Sequence, residues 1–122
     1  MPSAVRALRG ATTLDADEID HLSARVQALV SEMLERNGVD KEDLISILFT
    51  ATDDIHSMFP ATAARAIGLG DVPLICAREL DIIGGTRRCI RVLMHLTTDR
   101  PRRDLHHVYL EGARQLRDDL PA

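Results

Sequence analysis

Apolar and polar positions along the chain alternate with two different periods, and the switches between them mark the elements. Val5 to Ala11 reads as a first strand, followed by Thr12-Thr13. Ile19, Leu22, Val26, Leu29, Val30 and Met33 then recur at helical spacing and form one apolar stripe. Asp15 is the expected N-cap of that helix, with Glu18 closing a capping box and Leu14 and Ile19 at the staple positions. Asn37-Gly38 is its stop. After a polar turn at Asp40 to Asp43, Leu44 to Thr50 is rich in β-formers and reads as a second strand.

Pro60 suits the first position of a short helix through Ile67, closed by Gly68 and Gly70. Val72 to Ala77 is a short apolar strand, and Gly84-Gly85 turns the chain into a longer one from about Arg87 to Thr97. Pro101 breaks that run. Leu105 to Leu116 fits either a strand followed by a helical turn or a single helix. The order of elements points to a two-layer domain with a mixed sheet. No repeat, linker or low-complexity tract interrupts residues 1–122, which read as a single domain.

Composition narrows the functional classes. With a formal charge of −4, non-specific nucleic-acid binding is not expected. Lys41 is the only lysine among fifteen basic residues, the rest being arginines suited to bidentate contacts with carboxylates or phosphates; Arg-rich codon usage is the plainer cause of that bias. Cys76 and Cys89 form no C-x-x-C and are expected as free, buried thiols of a cytoplasmic protein. No apolar leader or membrane-length stretch is evident, so no membrane partner is expected. With no Trp and one Tyr, the core must be built from aliphatic side chains, and further burial in an oligomer would help it.

Three charges sit where packing alone would not put them. Arg91 lies inside CIRVLMHL, the most apolar strand, on one face with Cys89 and Leu93. Glu79 directly follows VPLICAR, and Arg9 comes at the end of the first strand. A guanidinium among apolar residues needs a partner or a ligand, and pairing of Glu79 with Arg91 or Arg9 is as good an explanation as a ligand. Tyr109, in HHVYL, reads from sequence alone as core or interface, and Arg117 as a solvated charge near the chain end. His106-His107 point to opposite faces of a strand and make a poor chelate. Asp53-Asp54 with His56 read as a turn rather than a cation site, and no metal is expected. Arg100, Arg102 and Arg103 read as a solvated basic loop, and Cys76 as a packing or contact residue rather than a nucleophile.

These residues fall into one pattern. RGATT (9–13), ATDDIHSMFPA (51–61), VPLICARELD (72–81), GGTRRCIRVLMH (84–95) and HVYLEGARQLR (107–117) follow one another with the spacing of a family. The chain resembles the monofunctional, trimeric chorismate mutases of the pseudo-α/β-barrel class. The resemblance implies an α+β fold: a five-stranded mixed sheet with helices packed on one face, assembling as a trimeric barrel. It also makes HHVYL a strand followed by a helical turn.

The resemblance further implies chorismate as substrate, no cofactor, a role in phenylalanine and tyrosine biosynthesis, and a homotrimer with active sites at subunit interfaces. By position, Arg9 and Tyr109 match residues that hold the enolpyruvyl carboxylate. Arg91 matches the group that reaches the ether oxygen and a carboxylate. Glu79 matches the group on the ring hydroxyl, and Cys76 a thiol touching the same region. Phe59, Ala61 and Arg65 match residues supplied by a neighbouring subunit, Leu74 and Leu116 match apolar wall positions, and Arg117 matches a tail residue at the pocket mouth. Thr62 and Ile75 depart from the pattern where Lys and Thr are familiar, and the loop at Gly68 to Asp71 is slightly short. An imine or enamine deaminase on a similar trimeric scaffold and a non-catalytic metabolite sensor are the alternative functions.

Overall fold

The computed structural model describes residues 3–119, with side chains through Leu116. Five strands are present: β1 (Ala4–Thr13), β2 (Leu44–Ala51), β3 (Leu74–Arg78), β4 (Cys89–Thr98) and β5 (Val108–Tyr109). They form one sheet in the order β3-β2-β4-β1-β5. The β1–β4 and β2–β4 pairs are antiparallel, and β1–β5 and β2–β3 are parallel, so the sheet is mixed as expected.

Helix α1 (Ile19–Asn37) and the short α2 (Pro60–Ala64) cover one face. Leu22, Val26, Leu29, Val30 and Met33 of α1 are fully buried against Leu8, Ile47, Phe49, Ile90, Val92, Met94 and Leu96 of the strands. The helical period on one side and the strand period on the other thus meet in one aliphatic core. Gly38 ends α1 in the left-handed conformation (φ 59°), and the Val39 N–H reaches back to the Leu34 carbonyl.

The start of α1 differs from expectation. Glu18, not Asp15, is the N-cap residue, and it makes no side-chain capping bond. Ile19 is 59% exposed, so it does not staple onto the buried Leu14. The Asp15 carboxylate instead accepts from Arg25 (2.9 Å), and Asp17 accepts the His56 and Ser57 amides (2.7 and 3.1 Å). Tertiary partners have taken the carboxylates that a local cap would use.

Other boundaries move by a few residues. β1 continues through Thr13, which leaves Arg9 in mid-strand. The helix begun at Pro60 is regular only to Ala64, and a widened turn, Arg65–Leu69, follows with Gly68 at φ 93°. Lys41 donates to the Ile67 carbonyl there (2.8 Å). The segment after Leu105 resolves into β5 and a 3₁₀ segment, Glu111–Asp119, the strand-then-turn arrangement. Cys89 is buried, whereas Cys76 is only half-buried; both are free. No helix among the described residues is long and apolar enough to cross a membrane.

Candidate active site

The face of the sheet turned away from α1 carries the unexplained charges. Residues opposite one another in register share a face. Ala77 lies opposite Thr50, Thr50 opposite Arg91, Arg91 opposite Ala11, and Ala11 opposite Tyr109, so one row crosses all five strands. The next row runs Ile75, Leu48, Leu93 and Arg9. The small Ala11 between Arg91 and Tyr109 leaves a depression lined by Arg9, Gly10, Ala11, Arg91, Val92, Tyr109 and Leu116, with a volume of 270 Å³.

Glu79 comes to the same place from the end of β3. Its N–H donates to the Ala51 carbonyl (3.0 Å), extending the ladder by one residue. Its side chain folds back over the sheet. Oε2 accepts from the Thr50 hydroxyl (2.9 Å) and lies 3.1 Å from Arg91 Nε, and Oε1 accepts the Leu80 N–H (3.1 Å). Of the two cations weighed for Glu79, Arg91 is the one it meets. The pair remains partly open, with side-chain exposures of 48% and 23%. A partly exposed pair of this kind contributes about 0–1 kcal/mol to stability, too little to account for a charge set among apolar residues. A second cleft of 580 Å³, lined in part by Glu79, Ile82, Ile83, Thr86, Cys89 and Arg91, adjoins it.

The chain around Asp54 fixes where Arg91 begins. Arg88 has φ 42°, unusual for a residue with a side chain. Its N–H is held by both Asp54 carboxylate oxygens (3.1 and 3.0 Å), and the Thr52 hydroxyl donates to Asp54 (2.6 Å). Burial pushes the Asp54 carboxyl up, but the Thr52 hydroxyl and the Arg88 amide outweigh it and hold the group below its ordinary value. Burial also raises the Cys89 thiol, with Arg91 opposing, so Cys89 sits beside the charges as a neutral thiol.

Phe59, Ala61, Arg65, Leu74 and Cys76 lie outside the depression around Arg9, Arg91 and Tyr109. Phe59, 70% exposed, lines a separate 720 Å³ cleft with Met58, Thr62, Cys76 and Arg78. Cys76 is therefore not beside Glu79: it lies opposite the buried Phe49 and packs, like Leu74, against the core. Ala61 is buried in that core, and Arg65 is exposed on the widened turn. The Asp53–Arg78 ion pair (2.6 and 2.7 Å) stands between the two clefts, lining both through Asp53. The Arg117 side chain lies outside the described residues.

Several polar residues that carry the site's framework were not singled out by the sequence. Thr50 holds Glu79, Asp17 anchors the loop leading to Phe59, and Asn37 clamps the His106 backbone through its carbonyl (2.9 Å) and N–H (2.7 Å). His107 accepts the Arg9 N–H at Nδ1 (2.9 Å), a structural use of the His-His pair. None stands out in composition, because each is defined by a partner remote in the chain. Asp53 and Asp54 are occupied by Arg78 and Arg88, and among the described residues no group of three or more His, Cys, Asp or Glu side chains is placed to hold a metal.

A partly open Arg–Glu pair flanked by a second Arg and a Tyr is suited to holding a small anion with two acidic groups and to stabilising charge that shifts within it. Comparison with known proteins points the same way. The chain is 40% identical over 117 residues to the chorismate mutase AroH of Bacillus subtilis (strain 168), covering 95% of this chain and 92% of that protein. It is 44% identical over 117 residues to the AroH chorismate mutase of Thermus thermophilus, covering 95% and 96%. The structure of the chorismate mutase from Clostridium thermocellum Cth-682 superposes with a TM-score of 0.87 at 46% identity, covering 88% of this chain and 96% of that one. A profile of the family described as chorismate mutase type I matches residues 5–120, and the chain belongs to that family.

Proposed function

We propose that the protein is a chorismate mutase, converting chorismate to prephenate in phenylalanine and tyrosine biosynthesis. The observation that carries the reading is the Arg91–Glu79 pair on the open face of the sheet, with Arg9 and Tyr109 in adjoining positions, in a chain of this family. The reaction is a [3,3] rearrangement inside one molecule: a C–O bond breaks, a C–C bond forms, and no proton has to move. The protein's work is to fold the substrate and to match its charge.

Arg9 and Arg91 hold the two carboxylates in the compact geometry from which the bonds can exchange. As the C–O bond lengthens, negative charge grows on the ether oxygen, and Arg91 meets it better in the transition state than in the ground state. Glu79 orients the ring hydroxyl and balances the opposite charge on the ring. Tyr109 supports the carboxylate held by Arg9, and Leu116 is an apolar wall of that depression.

The site is read as completed in a homotrimer, with Phe59, Ala61 and Arg65 supplied by a neighbouring copy, Cys76 and Leu74 in the same cleft region, and Arg117 at the mouth. Two observations support this. The depression around Arg9, Arg91 and Tyr109 is smaller than the roughly 300–1,000 Å³ of ordinary small-molecule sites. Val5 and Ile75, 62% and 65% exposed, sit on the open sheet face, and apolar surface of this kind favours burial against another copy. The two free thiols fit a reducing, cytoplasmic setting.

The test is to incubate the purified protein with chorismate and follow its ultraviolet absorbance. Loss of chorismate with appearance of prephenate is expected. Chorismate left intact, as a deaminase would leave it, or bound without turnover, as a sensor would hold it, overturns the assignment.

A further inference from the structure

Glu79 is held by more than its cation. Thr50 lies directly opposite Arg91 in the sheet, and its hydroxyl donates to the same carboxylate oxygen, Oε2, that Arg91 Nε approaches. The Leu80 N–H occupies Oε1. Three elements thus converge on one carboxylate: β2 through Thr50, β4 through Arg91, and the chain's own backbone after β3. A carboxylate bound to a lone guanidinium tends to swing into a bidentate contact, which would set both charges against each other. Here the neutral donor shares Oε2, which lies 3.1 Å from Arg91 Nε.

We propose that Thr50 is a positioning residue for the rearrangement: its hydroxyl fixes the Glu79 carboxylate so that Glu79 faces the substrate and leaves the terminal nitrogens of Arg91 for it. The proposal rests on the assignment of Glu79 and Arg91 to the active site. Thr50 itself touches no reacting atom. Its effect passes wholly through Glu79, and that makes it separable from a packing role.

The experiment compares Thr50→Val, Thr50→Ser, Glu79→Ala and the Thr50→Val/Glu79→Ala double variant in steady-state kinetics with chorismate. Valine keeps the shape and β-propensity of threonine and removes only the hydroxyl. Thr50→Val is expected to lower kcat about tenfold with KM changed less than about threefold, the pattern of an interaction realised in the transition state. Thr50→Ser restores the donor and is expected within about threefold of the wild type, while in the Glu79→Ala background Thr50→Val adds less than about twofold. A Thr50→Val enzyme with normal kcat, or one whose loss multiplies unchanged onto that of Glu79→Ala, overturns the positioning role. Full activity of Glu79→Ala overturns instead the underlying assignment of Glu79. Should Thr50→Val not fold, the decision falls to Thr50→Ala and Thr50→Ser: the two having equal kcat overturns the role.

Discussion

Gly10 of β1 runs directly beneath Met33 of α1: a Cβ placed on Gly10 would lie 2.5 Å from the Met33 sulfur and 3.3 Å from a Leu29 methyl. The helix therefore comes close to the sheet one residue from Arg9. That approach sets the level of β1, and with it the positions of Arg9 and Ala11, whose side chains leave on the opposite face.

Gly10→Ala is therefore expected to destabilise the protein by about 1–3 kcal/mol through overpacking, read as a lower urea midpoint with an unchanged slope. Shortening Met33 should relieve the clash. The loss in Gly10→Ala/Met33→Ala should be smaller than the two single losses combined. Strict additivity would show that the helix and strand do not meet as described.

How far the sequence foretells this arrangement depends on whether a feature is local. The buried stripe of α1 and the run of β4 are written in their periods, and both appear within a residue or two, Ile19 apart. Asp15 and Glu18 spell a capping box, yet Arg25 claims Asp15; a short-range pattern loses to a partner the local sequence does not announce. β5 is two residues long and exists because Gly10 and Ala11 lie beside it, so no local signal separates it from a helix. The same holds for the site. Arg91, Glu79 and Arg9 are conspicuous as charges among apolar neighbours, whereas Thr50, Asn37 and Asp17 look ordinary until strand register and loop closure give them partners. Cys76 is likewise placed by register: strand alternation turns it to the core side of β3, opposite Phe49.

Arg91→Lys keeps the charge but removes the planar fork that can meet Glu79 at one edge and the substrate at another. Loss of one well-placed donor costs roughly 3–4 kcal/mol of transition-state stabilisation, so kcat/KM should fall by about two to three orders of magnitude. A value within a few-fold of the wild type would remove Arg91 from its assigned role.

The His107 ring accepts the Arg9 N–H at Nδ1, so its proton is on Nε2 and the ring is neutral. Burial of part of the ring, then the fields of Arg9 and His106, push its pKa below the ordinary 6.5, although more than a third of the residue stays exposed. The unfolded chain thus binds a proton first as pH falls. Stability contributed by neutral His107 is complete above pH 6.5 and declines as pH drops from there towards the lowered folded value. His107→Asn presents a side-chain oxygen without titrating. The difference in melting temperature between wild type and His107→Asn should shift against the wild type between about pH 7 and pH 5. A difference independent of pH would contradict the neutral-acceptor geometry.

The proposed sharing of the site between neighbouring copies makes its own prediction. Glu79 and Arg91 line one cleft, Phe59 lines another with the Asp53–Arg78 bridge between them, and Arg65 is exposed on the turn after α2. If each site is built from one surface of one copy and the other surface of the next, damage to the two surfaces can be segregated. Arg91→Ala chains lack a working cation, and Phe59→Ala/Arg65→Ala chains lack the facing wall. Each alone should be nearly inactive. When equal amounts are unfolded together and reassembled at random in a closed ring, one site in four pairs an intact Arg91 surface with an intact Phe59 surface. About a quarter of wild-type activity should then return. Were both surfaces to serve the same copy's site, every site would carry one lesion, and mixing would restore nothing. The recovered fraction thus separates a shared site from a private one without a structure of the assembly.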